Sequence, residues 1–136
     1  MSATEAFLDT NVLLYLLSGD ASKAERAEAL VVAGGVISVQ VLNEFASVAS
    51  RKLRMSWAEI REALETIRAL CHVEPISLQT HDRGLALSER YGFSIYDSMI
   101  LASALLAGCK VLFTEDLQGG QSIDGKLMVR DPFAAG

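Results

Sequence analysis

Residues 6–17 read AFLDTNVLLYLL, and this stretch decides the fold class. Its first three residues are apolar and predict a short β-strand. They lead directly into Asp9-Thr10-Asn11, residue types that favour the start of a helix, and the apolar run Val12–Leu17 predicts that helix. A strand that passes at once into a helix is the building unit of α/β folds.

The rest of the chain repeats this alternation of strands and helices. We predict five strands, at Ala6–Leu8, Val36–Ile37, Val73–Ile76, Val111–Phe113 and Leu127–Val129. Helices are predicted over residues 12–17, 21–33, 38–49, 56–69, 78–90 and 96–106, the third capped by Ser38 and the fourth opened by a capping box of Ser56 and Glu59. Pro75 makes the third strand a candidate for the edge of the sheet. The alternation predicts an α/β fold whose parallel sheet is covered by helices on both faces.

The composition is that of one folded domain over residues 1–136, with 51% hydrophobic residues. No apolar stretch is long enough to span a bilayer, so we expect no membrane association. The start of the chain lacks the basic and apolar segments of a secretory signal, which favours the cytoplasm. We expect Cys71 and Cys109 to be reduced, buried thiols. The net charge of −5 argues mildly against broad nucleic-acid binding but allows a local cationic patch or a bound metal.

Two acidic residues follow predicted strands. Asp9 ends the first strand and Asp116 comes shortly after the fourth. If the strands are parallel, both acids lie at the same edge of the sheet, where sites of such folds are found. Asp9 alone is equally well explained as a helix cap.

Two further acids lie on predicted helices. Glu44 stands on the flank of the apolar stripe that contains Val41 and Val48, and Asp97 opens the most apolar helix of the chain. A surface position for Glu44 and a favourable contact with the helix dipole for Asp97 are the ordinary explanations. A buried acid, however, is costly without a partner, and no Lys or Arg is near Asp97 in the sequence.

Four converging carboxylates would repel one another and raise at least one pKa. A divalent cation removes this repulsion. An all-oxygen set of ligands suits Mg²⁺ or Mn²⁺ and suits zinc poorly.

Four segments carry a resemblance to a known family. They are FLDTNVLLY (7–15), VLNEF (41–45), YGFSIYDSMI (91–100) and LFTEDLQ (112–118). In this order and spacing they resemble the four motifs of PIN domains, and they are most similar to VapC-like toxins of bacterial toxin–antitoxin pairs. The resemblance covers nearly the whole chain.

The resemblance implies a three-layer α/β/α sandwich with a central, mainly parallel five-stranded sheet. It implies an endoribonuclease that depends on Mg²⁺, for which Mn²⁺ may substitute, and a homodimer that binds a cognate antitoxin protein. By motif, the catalytic and metal-binding acids carry over onto Asp9, Glu44, Asp97 and Asp116, with Thr10 and Asn11 as supporting polar residues. Asp9 and Asp97 would hold the principal ion, Asp116 and Glu44 would complete its shell, and a metal-activated water would attack the RNA phosphodiester.

The chain departs from the family pattern at Gln118, where many relatives have another acid. This departure puts a fully occupied second metal site in doubt. Glu115 neighbours Asp116, but the Thr-x-Asp spacing favours Asp116 as the ligand, and we expect Glu115 to be exposed.

A cluster of Arg51, Lys52 and Arg54 is the candidate RNA contact, although cations at this place also suit a helix C-terminus. Ordinary structural or surface roles are expected for His72 and His81.

Two other readings of the chain remain open. A phosphoryl-transfer domain also places acids at strand ends, but a dehalogenase-like site would have Asp where this chain has Asn11, and a receiver would have a Lys at the end of a late strand. A non-catalytic module with the same fold is the second alternative. Binding of Mn²⁺ would distinguish an active site from such a module.

Overall fold

The computed structural model describes residues 6–134. The strands are β1 (Ala6–Leu8), β2 (Val36–Ser38), β3 (His72–Glu74), β4 (Val111–Phe113), β5 (Ser122–Ile123) and β6 (Leu127–Arg130). The helices are α1 (Thr10–Leu14), α2 (Ala21–Val32), α3 (Val39–Arg51), α4 (Trp57–Leu70), α5 (Leu78–Tyr91) and α6 (Ile95–Leu106). A short 3₁₀ helix, Tyr15–Leu17, follows α1.

The six strands form one sheet in the order β3-β2-β1-β4-β6-β5. All neighbouring pairs are parallel except β5 with β6, and the register places Leu8 of β1 beside Phe113 of β4. The order of the strands reverses between β1 and β4. In open α/β sheets, this reversal leaves a crevice beyond the carboxyl ends of the two strands, and ligands bind there.

The sheet is the middle layer of an α/β/α sandwich. Helices α1 to α4 pack against one another, while α5 packs along α6, which contacts β2 and β4. The interior is apolar, and Phe7, Phe45, Leu101 and Leu112 are fully buried. Helix α6 is buried over most of its length, which is why its sequence is nearly all apolar. The core therefore fixes the strand ends that carry the candidate site.

The predicted elements are largely confirmed, and so are the predicted caps. Ser38 caps α3 by accepting from the N–H of Val41, and Ser56 with Glu59 forms the capping box of α4. The third strand lies at the edge of the sheet, as Pro75 indicated, but it covers His72–Glu74 rather than Val73–Ile76. It ends before Pro75 because proline has no N–H to donate to the neighbouring strand.

The prediction of five strands was wrong by one. Ser122–Ile123 forms β5, which pairs antiparallel with β6. The two strands are joined by the turn Asp124-Gly125-Lys126, in which Asp124 and Gly125 have positive φ angles, 54° and 67°. An Asp-Gly pair is a known hairpin signal, because both residues tolerate this backbone conformation. A strand of two residues is too short to show an alternating pattern in the sequence.

The cysteines are free and buried, as predicted. Burial raises the pKa of Cys71 to about 11 and that of Cys109 to about 12, so neither thiol provides a thiolate at neutral pH. Within residues 6–134, no helix is both long and apolar enough to cross a membrane.

Candidate active site

Asp9 lies at the carboxyl end of β1, beside the end of β4. It follows β1 directly and caps α1, and its N–H donates to the carbonyl of Phe113 at 3.1 Å. Only 5% of the residue is exposed. Its Oδ1 accepts from the N–H of Thr10 at 2.7 Å. The cap predicted from the sequence is therefore present, and the other oxygen of the same carboxylate contacts Thr114, the residue after β4.

Thr114 holds the other oxygen of Asp9. Its hydroxyl donates to Oδ2 of Asp9 at 2.9 Å and accepts from Nδ2 of Asn11 at 3.1 Å and from the N–H of Asp116 at 3.0 Å. One donor and two acceptor positions are all that a hydroxyl offers, so the hydrogen-bonding capacity of Thr114 is filled. Asn11 also accepts from the N–H of Glu115 at 3.2 Å. This network ties the end of β4 to the turn after β1.

Glu44 is held on both of its carboxylate oxygens. The hydroxyl of Thr10 donates to Oε2 at 3.0 Å, and Nε2 of Gln40 donates to Oε1 at 2.7 Å. Gln40 and Glu44 are four residues apart on α3 and so share a face of the helix. The same Nε2 of Gln40 also donates to the carbonyl of Tyr96 at 3.1 Å, which joins α3 to the first turn of α6.

Asp97 lies in that first turn of α6, and Asp116 lies just beyond β4. Asp97 is partly buried, and its N–H donates to the hydroxyl of Ser94, the N-cap of α6. Asp116 is exposed. The carbonyl that Gln40 contacts belongs to the residue before Asp97, so the backbone of Asp97 adjoins the side chain that orients Glu44.

Burial raises the pKa of Asp9 from 3.8 to about 6. The hydrogen bonds from Thr114 and Thr10 lower it, while the negative charges of Asp116 and Glu44 raise it further. Among the described residues that act on this pKa, none is a cation. The structure thus brings Asp9, Glu44 and Asp116 into one electrostatic cluster. Asp97 is not among the groups that act on Asp9.

The donors of this cluster match the ligands that Mg²⁺ or Mn²⁺ prefers, namely carboxylates with neighbouring hydroxyl and amide oxygens. A divalent cation would also compensate the charge of the buried Asp9. Over residues 6–134, however, no three acidic, His or Cys side chains stand close enough to hold a metal ion as they are placed. The chemistry of the donors fits the ion, but binding of an ion would require the side chains of the cluster to draw closer together.

Comparison with known proteins identifies the family. The model of the PIN domain family matches residues 6–118, which is most of the chain. The chain belongs to the PIN domain family. The resemblance found in the four sequence motifs is therefore confirmed. No curated protein matches the chain significantly.

Solved structures of toxin–antitoxin proteins have a fold similar to that of this PIN domain. A toxin–antitoxin complex from Klebsiella pneumoniae has 28% identity and a TM-score of 0.73, with 96% of this chain and 99% of that chain covered. DNA-bound VapBC from Salmonella typhimurium has 21% identity and a TM-score of 0.71, with 95% and 98% covered. VapC20 from Mycobacterium tuberculosis has 20% identity and a TM-score of 0.64, with 82% and 91% covered, and is described as a toxin that cleaves the sarcin–ricin loop.

Other residues singled out in the sequence lie away from the crevice. Arg51, Lys52 and Arg54 are exposed at the far end of α3, and Arg51 is about 10 Å along the helix axis from Glu44. His72 pairs with Glu74 at 2.8 Å at the edge of the sheet, a structural role of the kind predicted. No contact of His81 with the acid cluster appears within residues 6–134.

The expectation for Glu115 was wrong. Its side chain is only 26% exposed and forms an ion pair of 3.2 Å with Lys23 of α2. Glu115 is held by this ion pair and by the hydrogen bond from its N–H to Asn11. Of the two adjacent acids, Asp116 acts on the pKa of Asp9 and Glu115 is not among the groups that do.

Gln40 and Thr114 were not predicted as site residues from the sequence. The signal for Gln40 was its position four residues before Glu44, the spacing at which helical side chains meet. The signal for Thr114 was its place at the carboxyl end of β4, beside the end of β1. Both residues orient an acid of the cluster rather than adding another acid.

Proposed function

We propose that this PIN domain is an endoribonuclease that depends on Mg²⁺ or Mn²⁺ and is the toxin of a toxin–antitoxin pair. The proposal rests mainly on the surroundings of the Asp9 carboxylate. This carboxylate is almost fully buried at the topological switch point, it has two acids as electrostatic neighbours, and no described cation acts on its pKa. A cation from outside the chain would stabilise such a charge.

In this proposal, Asp9 and Asp97 hold the ion, and Asp116 and Glu44 complete its surroundings directly or through water. When bound, the divalent cation acidifies a water molecule and stabilises the charge that develops on the phosphate. Thr114 and Thr10 fix the two oxygens of Asp9, so this carboxylate needs little reorganisation to meet the ion. Gln118 stands where many relatives have another acid. We therefore propose one principal ion, and any second ion would bind only together with the substrate.

Glu44 has a different place in the mechanism. Because Thr10 and Gln40 each donate to one of its oxygens, its carboxylate is oriented before any ion binds. An oriented carboxylate beside the ion can accept a proton from water or hold that water in line with the phosphate. We therefore assign Glu44 to the orientation of water and Asp9 to the direct contact with the ion.

RNA is proposed as the substrate because related folds carry this activity. VapC20, whose fold is similar, is described as a toxin that cleaves the sarcin–ricin loop. A cognate antitoxin and a homodimer are proposed on the same basis, since the similar structures from Klebsiella pneumoniae and Salmonella typhimurium are toxin–antitoxin assemblies. Coexpression with the product of the adjacent gene, followed by size-exclusion chromatography with light scattering, tests both proposals.

A non-catalytic module is the second candidate, and one observation favours it. No three potential ligands stand at metal-binding distances in the described part of the chain. Isothermal titration with Mn²⁺ separates the two candidates. The nuclease is supported by binding of Mn²⁺ that is lost in Asp9→Asn. Absence of binding at millimolar Mn²⁺, in protein shown to be folded by circular dichroism, would establish the module.

The activity is tested directly by incubation of a labelled RNA pool with the purified chain and Mg²⁺ or Mn²⁺. We expect cleavage that EDTA abolishes and that excess Mn²⁺ restores. Asp82→Asn is the matched control, because Asp82 is an exposed acid on α5 away from the cluster. Cleavage that continues in EDTA would contradict the proposed dependence on metal.

A further inference from the structure

An open groove of about 900 Å³ runs along α2. Its walls are α2 and the segment Asp131–Ala134 that follows β6, and Phe113 forms part of its floor. Three cationic residues, Lys23, Arg26 and Arg130, line it. No function was predicted for these cations from the sequence.

From this groove we infer that the RNA strand runs along α2, where Lys23 and Arg26 bind its phosphates next to the acid cluster. The inference rests on the proposed ribonuclease function and adds to it the surface that holds the substrate. An acid cluster repels RNA, so a nuclease of net charge −5 needs a local group of cations close to its site.

The two cations point in one direction from α2. Lys23 and Arg26 are three residues apart, a spacing that places both side chains on the same face of the helix. The Nε of Arg26 donates to the carbonyl of Pro132 at 3.1 Å, and its guanidinium lies 5.7 Å from the centre of the Phe113 ring. With Nε occupied, the guanidinium still has N–H groups to offer a phosphate.

Lys23 connects the groove to the candidate site. Its Nζ lies 3.2 Å from Glu115, the residue directly before Asp116, and 3.1 Å from the hydroxyl of Tyr15. It also lies 4.6 Å from the centre of the Tyr15 ring and 5.2 Å from that of Phe133. These contacts place the ammonium group of Lys23 beside the residue that precedes Asp116, an acid of the cluster.

The acids at the border of the groove are bound to backbone groups. Asp20 accepts from the N–H of Lys23 at 3.2 Å as the cap of α2, and Asp131 accepts from the N–H of Phe133 at 2.9 Å. A carboxylate that caps a backbone N–H has part of its charge compensated there. Arg130 is exposed at the carboxyl end of β6 and adds a third cation.

The test is the salt dependence of RNA binding. Fluorescence anisotropy of a labelled single-stranded RNA is measured in Ca²⁺ at several salt concentrations, and a denaturing gel verifies that the probe stays intact. Each phosphate contact contributes about 0.7 to the slope of log K against log salt for a single strand. We therefore expect Lys23→Ala/Arg26→Ala to reduce the slope by about 1.4 and to weaken binding about 25-fold near 0.1 M salt.

Three variants serve as controls. Arg61→Ala/Arg68→Ala removes the same charge from exposed positions on α4 and should leave the slope unchanged. Lys23→Arg/Arg26→Lys keeps both charges but changes the shapes of the side chains. It should keep the slope, and it therefore tests whether packing rather than charge is responsible for the effect of the alanine pair. The triple variant of Arg51, Lys52 and Arg54 tests the contact predicted from the sequence.

Two outcomes would overturn the inference. One is a slope for the α2 pair equal to that of the α4 pair. The other is loss of the slope in the charge-conserving pair, which would show that packing rather than charge matters. If the wild-type chain neither binds nor cuts RNA, the proposed function itself fails, and that result is distinct from a failure confined to the α2 variants.

Discussion

The hydroxyl of Thr114 lies 2.9 Å from Oδ2 of Asp9 and donates its hydrogen to it. These residues end neighbouring strands, β4 and β1, and are 105 positions apart in the sequence. Among the interactions that lower the pKa of Asp9, this hydrogen bond has the largest effect. The geometry of the central acid therefore depends on the pairing of two strands, which couples the fold to the site.

Replacing Thr114 by valine removes this hydroxyl with little change of shape. Oδ2 of Asp9 would keep only the 3.4 Å contact with Asn11, and the N–H of Asp116 would lose its acceptor. We expect the pKa of Asp9 to rise above about 6 and the free energy of unfolding to fall by about 1 to 3 kcal/mol. NMR titration of the carboxyl carbon and urea denaturation measure the two effects. Thr114→Ser retains the hydroxyl and should behave like the wild type, and a valine variant with an unchanged pKa would contradict the assigned role.

Asp9 makes the stability of the metal-free protein depend on pH. Because its pKa in the folded chain, about 6, exceeds the ordinary 3.8, the folded state holds its proton at higher pH than the unfolded state. Stability should therefore fall as the pH rises from about 4 to 6, and the shift corresponds to about 3 kcal/mol. Urea denaturation in EDTA at several pH values measures this loss.

The loss should be absent in Asp9→Asn, whose side chain does not titrate. In the wild type at neutral pH, Mg²⁺ or Mn²⁺ at about 100 times its dissociation constant should restore about 2.7 kcal/mol. If the free energy of unfolding changed with pH in the same way in the wild type and in Asp9→Asn, Asp9 would not be the source of the pH dependence.

Gln40 orients Glu44 and joins it to the turn that carries Asp97. Gln40→Leu removes both hydrogen bonds at similar volume. Loss of a group that orients a metal site typically costs 10- to 100-fold in metal affinity, and we expect a weakening of about this size in titration with Mn²⁺. Gln79→Leu is the matched control, since Gln79 occupies the same second position of α5 and is exposed. Equal Mn²⁺ affinity of the two variants would assign Gln40 a purely structural role.

Much of the fold could be predicted from the sequence, because local signals and tertiary structure agree there. The turn from β1 to α1, the Ser38 cap and the buried α6 each follow from residues that are near one another in the chain. β5 could not be predicted from periodicity, because two residues carry no pattern and the strand exists through its pairing with β6.

The candidate site was predicted to a lesser extent. Placing Asp9 and Asp116 at one edge of the sheet followed from parallel strands, and their electrostatic coupling agrees with it. The ion pair of Lys23 with Glu115 joins residues that are 92 positions apart, and the bond from Thr114 to Asp9 spans 105. Such contacts depend on the register of the sheet and the packing of helices, which composition and local motifs do not specify.

The proposed metal site is tested most sharply at Asp97, whose assignment as a ligand rests on its motif and on its position in the first turn of α6. The most direct measurement compares Mn²⁺-dependent cleavage of a pooled RNA by the wild type, Asp97→Asn and the control Asp82→Asn. We predict that Asp97→Asn loses cleavage by at least about 100-fold, as expected when a group that stabilises the transition state is removed, while Asp82→Asn cuts normally. Equal cleavage by Asp97→Asn and the wild type would contradict the four-carboxylate site.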